Sequence, residues 1–111
     1  MGILLLLVLN SPIVKKEILK LRKIKYKSLK EIIKRMNHKV LLIKVNGIIK
    51  QKIKIENANI LLKKNRLIIF DDNIEKISVG IDWIANFYTN ESNTSIKLEF
   101  DQNGEVLIHI I

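Results

Sequence analysis

Residues 40–56 read VLLIKVNGIIKQKIKIE, and this stretch decides the fold class that the sequence predicts. Two apolar-rich runs flank Asn46-Gly47, a dipeptide typical of β-hairpin turns. The second run alternates lysine with isoleucine, which indicates a strand with one buried face. A three-residue loop around Asn46-Gly47 would separate an apolar face from a lysine face. The apolar face is expected to hold Leu41, Ile43, Ile49, Ile53 and Ile55, and the opposite face Lys50, Lys52 and Lys54.

Strand-like runs continue on the C-terminal side of this hairpin. They are ILL (60–62), LIIF (67–70), EKISV (75–79), IKLEFD (96–101) and EVLIHII (105–111). Polar breaks rich in Asn and Asp separate the runs over 40–79, and turn-bounded runs of this kind predict an antiparallel meander there. The polar segment TNESNTS (89–95) is expected to be a loop.

The last two runs predict a hairpin whose register depends on the length of its turn. A three-residue loop, Gln102-Asn103-Gly104, brings the apolar residues of the two strands opposite one another and requires Gly104 in the left-handed conformation. The expected pairs are Phe100 with Val106, Leu98 with Ile108, Ile96 with Ile110, and Lys97 with His109.

The segment IDWIANFY (81–88) has a different periodicity. Trp83 and Phe87 are four residues apart, as are Ile84 and Tyr88, and this spacing predicts one or two helical turns. Aromatic residues on a short helix usually cover a sheet, so Trp83 and Phe87 are expected in the core.

Two short helices are predicted on the N-terminal side of the strands. Ser11-Pro12 is a favourable helix start, and the apolar spacing that follows predicts a helix over 12–21. Ser28 and Glu31 match a capping box, which predicts a second helix over 29–36 that ends at Asn37. The segment Arg22–Lys27 would join them, and one longer, interrupted helix is the alternative.

The chain opens with a run of seven apolar residues, Ile3–Leu9. A membrane span needs about 20 apolar residues, and the run lacks the basic flank and cleavage site of a secretory signal. We therefore expect a strand buried on both faces, no membrane partner and a cytoplasmic location. The alternative is an apolar segment that docks onto a partner chain.

Composition limits the class of protein. A chain of 111 residues with 48% hydrophobic residues predicts a single domain over 1–111 with a folded core. The expected fold class is α+β: an N-terminal strand and two short helices on a curved antiparallel sheet or a small β-barrel. Cysteine is absent, which excludes disulfides and thiolate chemistry. Isoleucine, lysine and asparagine all have A/T-rich codons, so codon bias accounts for part of the lysine excess.

Charge is unevenly distributed along the chain. Residues 1–70 carry 18 Lys and Arg against three acids, whereas residues 71–111 carry two Lys against eight acids. Codon bias would spread lysine evenly, so this asymmetry indicates either a surface that faces a polyanion or two complementary surfaces.

Lysine density marks a candidate nucleic-acid interface, because ammonium groups neutralise phosphates and release counterions. A solvated basic face is the alternative. Tyr26 is the aromatic residue expected to stack on bases, since Lys25 and Lys27 flank it. The candidate residues are Lys15, Lys16, Lys23, Lys25, Tyr26, Lys27, Lys34, Arg35, Lys50, Lys52 and Lys54. Only three arginines are present, which predicts little sequence specificity.

Catalytic patterns are absent from the sequence. It contains no phosphate-binding glycine loop, no dinucleotide fingerprint and no nucleophile elbow. His109 is expected to be a cross-strand polar partner, and Asp71-Asp72 to serve a turn. The glycosylation sequons at Asn90 and Asn93 are interpreted as loop composition. We therefore expect a non-enzyme without a cofactor or metal.

One segment resembles a known family. Within residues 40–65, Val45-Asn46-Gly47 and Ile60-Leu61-Leu62-Lys63 are similar to the Sm-like RNA-binding barrels. The resemblance implies a ring-forming RNA binder. It covers about a quarter of the chain, and the family's basic RNA-contacting motif has no counterpart in EKISVG (75–80).

Two classes of function follow. The first is a small basic module that binds RNA or DNA through lysines with little sequence specificity. The second is a protein–protein interaction module, either a homo-oligomer or an inhibitor of another protein. This second class would use the apolar N-terminal strand and the C-terminal hairpin.

Overall fold

The computed structural model describes residues 21–111. The strand predicted over Ile3–Leu9 lies outside the described residues, as do the candidate residues Lys15 and Lys16. The helix predicted over 12–21 also lies outside them except for Leu21, which is not helical.

Nine strands, one α-helix and one 3-10 turn make up the described chain. In chain order they are β1 (Arg22–Ile24), α1 (Tyr26–Met36), β2 (Leu41–Asn46), β3 (Gln51–Ile55), β4 (Ala58–Lys63), β5 (Arg66–Asp71), β6 (Ile74–Gly80), the 3-10 turn (Ile81–Trp83), β7 (Ile84–Thr89), β8 (Ser95–Phe100) and β9 (Glu105–Ile110). Every strand pair is antiparallel. The chain over residues 21–111 is therefore mostly β, with one α-helix.

A six-stranded sheet in the order β1-β7-β8-β9-β2-β3 forms the larger layer. Its inner face is apolar because alternate residues of each strand point the same way. Ile43, Ile96 and Ile108 lie in one row across β2, β8 and β9, and all three are fully buried. The meander predicted over 40–79 forms only in part: β2 pairs with β3 and β4 to β6 pair in sequence, but β3 does not pair with β4, and β2 also pairs with β9 at the far end of the chain.

The remaining strands form a three-stranded sheet in the order β4-β5-β6. Its inner face contributes Ile60, Leu67 and Ile69 to the same apolar core. The junction between β3 and β4 is held by Asp71, whose carboxylate accepts hydrogen bonds from the backbone N–H groups of Glu56 and Asn57. Asp71 thus serves a turn, as predicted. Neither sheet closes into a barrel, so the barrel alternative is not the observed form.

Helix α1 covers the core with one apolar side, formed by Leu29, Ile32, Ile33 and Met36. It begins at Tyr26 rather than Leu29, and Lys25 at the cap position makes no side-chain hydrogen bond. The predicted capping box at Ser28 is therefore wrong. The first turn is solvent-exposed, so water can satisfy its free N–H groups. Asn37 is the residue that ends the helix, as predicted.

The segment predicted to join two helices contains β1, which pairs with β7 at the edge of the larger sheet. Ile24 is buried there opposite Phe87. A three-residue strand carries too little periodicity to be recognised from the sequence. Its pairing partner lies more than 60 positions away along the chain.

The helical turns predicted over 81–88 are wrong. Only Ile81–Trp83 form a 3-10 turn, and Ile84–Thr89 form β7. A bulge between Ile84 and Asn86 adds one residue to the strand, so Ile84 and Phe87 both face the core although they are three residues apart. The bulge thus produces an apolar spacing that resembles a helix. Phe87 packs against the core, but Trp83 is 65% exposed and does not.

Both predicted hairpins form, but each has a longer turn than expected. Val45 lies opposite Gln51 and Glu99 opposite Glu105, so the residues between each pair are 46–50 and 100–104. The C-terminal register is therefore shifted by two, and Leu98 lies opposite Val106. A shift of two keeps every side chain on its original face, which is why the apolar pattern could not exclude it.

The longer turns change the positions of single residues. Ile49 lies in the first turn and is exposed instead of joining the apolar face. Lys97 lies opposite Leu107, and His109 lies opposite Ser95. Gly104 has a φ of +153°, a positive value that glycine adopts readily, as expected.

Candidate nucleic-acid interface

Helix α1 presents a basic side to solvent. Lys27, Lys30 and Lys34 recur at positions i, i+3 and i+7, which places them on one side of the helix. All three are exposed, while the apolar side of the helix lies against the core. The helix therefore forms a ridge of three ammonium groups, one on each turn.

The charge around this ridge is nearly uncompensated. Residues 22–39 contain eight Lys and Arg, all exposed, and one acid, Glu31. The ion pairs of the described chain lie elsewhere and join Lys54 to Glu56, Lys97 to Glu99 and Lys97 to Glu105. Within residues 21–111, then, no carboxylate neutralises a cation of this helical surface, and an external anion can pair with it.

Tyr26 lies beside the ridge at the start of α1. Its ring packs against Phe87, with the ring centroids 6.1 Å apart, and it remains 36% exposed. The Nζ atom of Lys30 lies 5.6 Å from the centroid of the Tyr26 ring. Phe87 thus contacts the ring, and a cation lies over it, so a base that stacks on Tyr26 would take the place of the Lys30 ammonium group.

A second group of lysines lies on the outer face of the larger sheet. The register places Lys44 directly opposite Lys52, and Lys54 follows on the same edge strand. Lys50 lies in the β2–β3 turn, and Lys23 lies on β1 at the other edge. Acids accompany this group: Lys54 is 3.5 Å from Glu56, and Lys97 contacts both Glu99 and Glu105.

The two lysine groups do not form one patch. The buried side of α1 shares a core with the inner face of the larger sheet, so the basic side of α1 points away from that face. Lys52 and Lys54 project from the outer face of the same sheet. Lys25, Lys27, Lys34, Arg35 and Tyr26 of the predicted set therefore belong to the helical surface, whereas Lys23, Lys50, Lys52 and Lys54 belong to the sheet or its turn.

Two further surface residues were not among the predicted site residues, Lys30 and Trp83. Lys30 occupies the middle of the helical ridge. The predicted helix began at Leu29 and left Lys27 outside, so the i, i+3, i+7 relation of the three lysines appears only once α1 begins at Tyr26. Trp83 was assigned to the core, yet it lies on the surface at the 3-10 turn. No local signal distinguishes these two placements of a tryptophan.

The C-terminal strand is not a free edge. β9 lies between β8 and β2, and both of its edges are hydrogen-bonded within the sheet. A partner would have to use its outward side chains or the neighbouring turn. The apolar run Ile3–Leu9, the other half of the predicted protein interface, lies outside the described residues.

The polar residues weighed for catalysis have structural partners. The Ser95 hydroxyl and the His109 Nδ1 atom form a hydrogen bond between neighbouring strands, as expected of a cross-strand partner. Ser95 is fully buried and so is shielded from a substrate. Across residues 21–111, no cluster of three or more His, Asp or Glu side chains is arranged to hold a metal ion.

Asn90, the first sequon asparagine, is fully buried. Its Nδ2 atom donates to Thr94 Oγ1, and its Oδ1 atom accepts from the backbone N–H groups of Thr94 and Ser95. A glycan on Nδ2 would break this arrangement. The segment 90–94 is thus a turn between β7 and β8 built around the Asn90 amide.

Comparison with known proteins adds no family assignment. A scan of protein-family models and searches of curated proteins and solved structures find no match to this chain. Among the described residues, no helix is long and apolar enough to cross a membrane.

Proposed function

We propose that this protein is a non-enzymatic module that binds nucleic acid through the basic side of α1. The observation that supports this proposal most directly is the group of eight exposed cations over residues 22–39, opposed by Glu31 alone and joined to no carboxylate within residues 21–111. Lys27, Lys30 and Lys34 contact successive phosphates of a strand that runs along the helix. Tyr26 lies at one end of this path and offers a ring to a base.

Binding by this surface is electrostatic and only weakly dependent on base sequence. Lysine is a point charge without the planar fork that reads guanine, and the ridge itself contains no arginine. Each phosphate that a lysine neutralises releases counterions, so affinity falls steeply as salt rises. The sheet lysines contribute less, because Lys54 and Lys97 are already paired with glutamates.

Fluorescence anisotropy with labelled RNA and DNA oligonucleotides tests this proposal. Titrations at 50 mM and 200 mM salt give the slope of log K against log salt concentration. The triple variant K27Q/K30Q/K34Q removes the helical ridge, and K50Q/K52Q/K54Q removes an equal charge from the other lysine group. We expect the helical variant to bind at least about tenfold more weakly at low salt, with a salt slope reduced by about two to three.

The matched variants make the result specific to a surface. Equal losses in both variants would indicate attraction by net charge alone. A larger loss of affinity in K50Q/K52Q/K54Q would indicate that the nucleic acid binds the sheet lysines instead of α1. The absence of binding to any RNA or DNA at low salt would overturn the proposal.

A second candidate function rests on the tip of the β2–β3 hairpin. Ile48 and Ile49 are 104% and 67% exposed there, two adjacent apolar side chains without a cover among the described residues. Burial of an isoleucine against a partner contributes about 1.5–3 kcal/mol. This tip favours a protein–protein contact, and self-association of the chain is the simplest form of it.

Light scattering at low and high salt separates this candidate from the first. An association through Ile48 and Ile49 persists at high salt, because apolar contacts are not screened. The variant I48S/I49S is then monomeric, and K50Q/K52Q/K54Q keeps the assembly. A wild-type chain that is monomeric in both salts would exclude self-association through this tip.

A further inference from the structure

Trp83 is an exposed aromatic residue on a rigid support. It is the only tryptophan in the chain and ends the 3-10 turn that follows β6. Its side chain is 65% exposed. Its carbonyl oxygen accepts a hydrogen bond of 3.0 Å from the backbone N–H of Asp101, and Ile81 N–H donates to the Asn65 carbonyl at 2.8 Å. Contacts with two other segments therefore hold the turn.

Gly80 provides the seat for the Trp83 ring. A Cβ atom built on Gly80 would lie 2.5 Å from Trp83 Cδ1 and 3.1 Å from Nε1. The indole thus occupies the space where any other residue would place its side chain. Gly80 has a φ of −74°, which every residue can adopt, so close approach of the ring is the reason that glycine fits here. One side of the indole rests on backbone, and much of the remainder faces solvent.

Two cations lie in the same row of the smaller sheet as Gly80. Gly80 pairs with Arg66 on β5, and Arg66 pairs with Lys63 on β4. Directly opposite residues point to the same face of a sheet. Lys63, Arg66 and Gly80 therefore form one row, and the Trp83 ring fills the place of the side chain that Gly80 lacks. Arg66 Nε donates a 2.7 Å hydrogen bond to Ser78 Oγ, which orients the guanidinium on this face.

The next row of the same face contains two apolar residues and one serine. Leu61 lies opposite Ile68, which lies opposite Ser78. Leu61 is 39% exposed, so this row borders the aromatic and cationic row with accessible hydrocarbon. Acids are also near, because Asp82 precedes Trp83 and Asp101 contacts its backbone. A strand on this surface would keep its phosphates toward Lys63 and Arg66 and away from these carboxylates.

We infer that Trp83, seated on Gly80 in the sheet row that also holds Arg66 and Lys63, is a stacking site for an unpaired base of a single-stranded nucleic acid. This inference rests on the proposed function and specifies its ligand as single-stranded. A duplex buries its base faces within the stack, whereas a single strand can lay a base on an exposed indole. The Arg66 guanidinium contacts the adjoining phosphate or stacks on the neighbouring base.

The lone tryptophan makes a direct measurement possible. We titrate the full chain with a 12-nucleotide poly(U) RNA, a matching single-stranded DNA and a duplex of the same length, and record tryptophan emission and anisotropy together. We expect the single strands to quench the emission in parallel with binding. We expect the duplex to bind with little quenching.

Two substitutions and one control define the contribution of the ring. Because stacking is worth between about fivefold and a hundredfold in affinity per base, W83L should weaken single-strand binding within that range. W83F keeps a ring and should lose less. K76Q removes one charge from β6 and is the control, with an expected change of under about threefold.

The outcomes separate this inference from the proposed function. Salt-dependent binding with unchanged emission overturns the stacking site and leaves the helical interface intact. No binding to any nucleic acid overturns both. Equal quenching by the duplex overturns the single-strand assignment. Emission that shifts with protein concentration in the absence of nucleic acid indicates a protein partner at Trp83, and would also overturn the inference.

Discussion

The side-chain oxygen of Asn37 accepts a 2.8 Å hydrogen bond from the backbone N–H of Ile60. This bond joins the end of α1 to β4, the first strand of the smaller sheet. Two backbone bonds reinforce the junction, since His38 N–H donates to the Ala58 carbonyl and Ala58 N–H donates to the Lys39 carbonyl. The smaller sheet is thus attached to the helix through polar bonds as well as through the core.

Replacing Asn37 with alanine tests this attachment. N37A leaves the Ile60 N–H without its partner at a site where Ile60 is almost fully buried. An unsatisfied buried donor costs about 1–3 kcal/mol, so we expect the free energy of unfolding to fall by that amount in urea titrations. N59A is the matched control, because Asn59 is an exposed residue on the same strand. Equal losses in N37A and N59A would contradict the assigned bond.

The buried amide of Asn90 gives a second prediction. N90A removes the acceptor for two backbone N–H groups of the 94–95 segment and the donor to Thr94. We expect the free energy of unfolding to fall by about 2–4 kcal/mol, measured by urea denaturation. N103A, in the exposed turn between β8 and β9, should change it by less than about 0.5 kcal/mol. An N90A protein as stable as N103A would show that the turn does not depend on this amide.

The contact between Gly80 and Trp83 gives a third prediction. G80A places a methyl group in the space of the indole and should destabilise the protein by about 1–3 kcal/mol. W83A removes the indole, so adding G80A to it should cost almost nothing. Thermal unfolding of the four proteins in this double-mutant cycle measures the coupling. If the losses of stability in the two single variants added in the double variant, the Trp83 ring would not lie against Gly80.

The register of the C-terminal hairpin gives a fourth prediction. Lys97 and Leu107 are directly opposite, at a separation that suits a disulfide. Since the chain lacks cysteine, K97C/L107C should form one disulfide on mild oxidation, visible as the loss of two hydrogen atoms, about 2 Da, from the intact mass. K97C/H109C, which corresponds to the register expected from a three-residue turn, should remain reduced. If only K97C/H109C formed a disulfide, the register of the three-residue turn would be correct and the register described here would be wrong.

Local periodicity predicted the strands well and their partners poorly. Alternation within 40–56 placed Ile53 and Ile55 on the core face, and the structure confirms this placement. Alternation has a period of two, so it cannot distinguish registers that differ by two residues. Turn length decides between them, and it left Leu98 opposite Val106 rather than Ile108.

Two errors arose where local pattern and tertiary structure disagree. The bulge in β7 spaces Ile84 and Phe87 like residues of a helix, and only pairing with β8 shows that the segment is a strand. Ser28 and Glu31 have the spacing of a capping box, but α1 begins earlier, after β1 has paired with β7. In each case a long-range contact outweighed a local preference.

The candidate site divides in the same way. Lysine density marked the region 22–39 from the sequence. The helix predicted over 29–36 contained Lys34 but not Lys27, and the structure places both on one side of α1. Only the structure shows that these residues lie on a different surface from Lys52 and Lys54, because their relative position depends on which face of the sheet the helix covers. The exposure of Trp83 also could not be predicted from the sequence, since an indole packs in a core or lies on a surface according to its neighbours in the fold.

The sequence by itself determined that this chain forms amphipathic strands around short polar turns, with its positive charge in the first 70 residues, because side-chain alternation and charge are local properties. Only the tertiary structure decided that β2 joins β9, that the strands divide into two open sheets, and that Gly80 supports an exposed Trp83. Those features depend on contacts between residues far apart in the chain, whose free energy is gained only when both segments are in place.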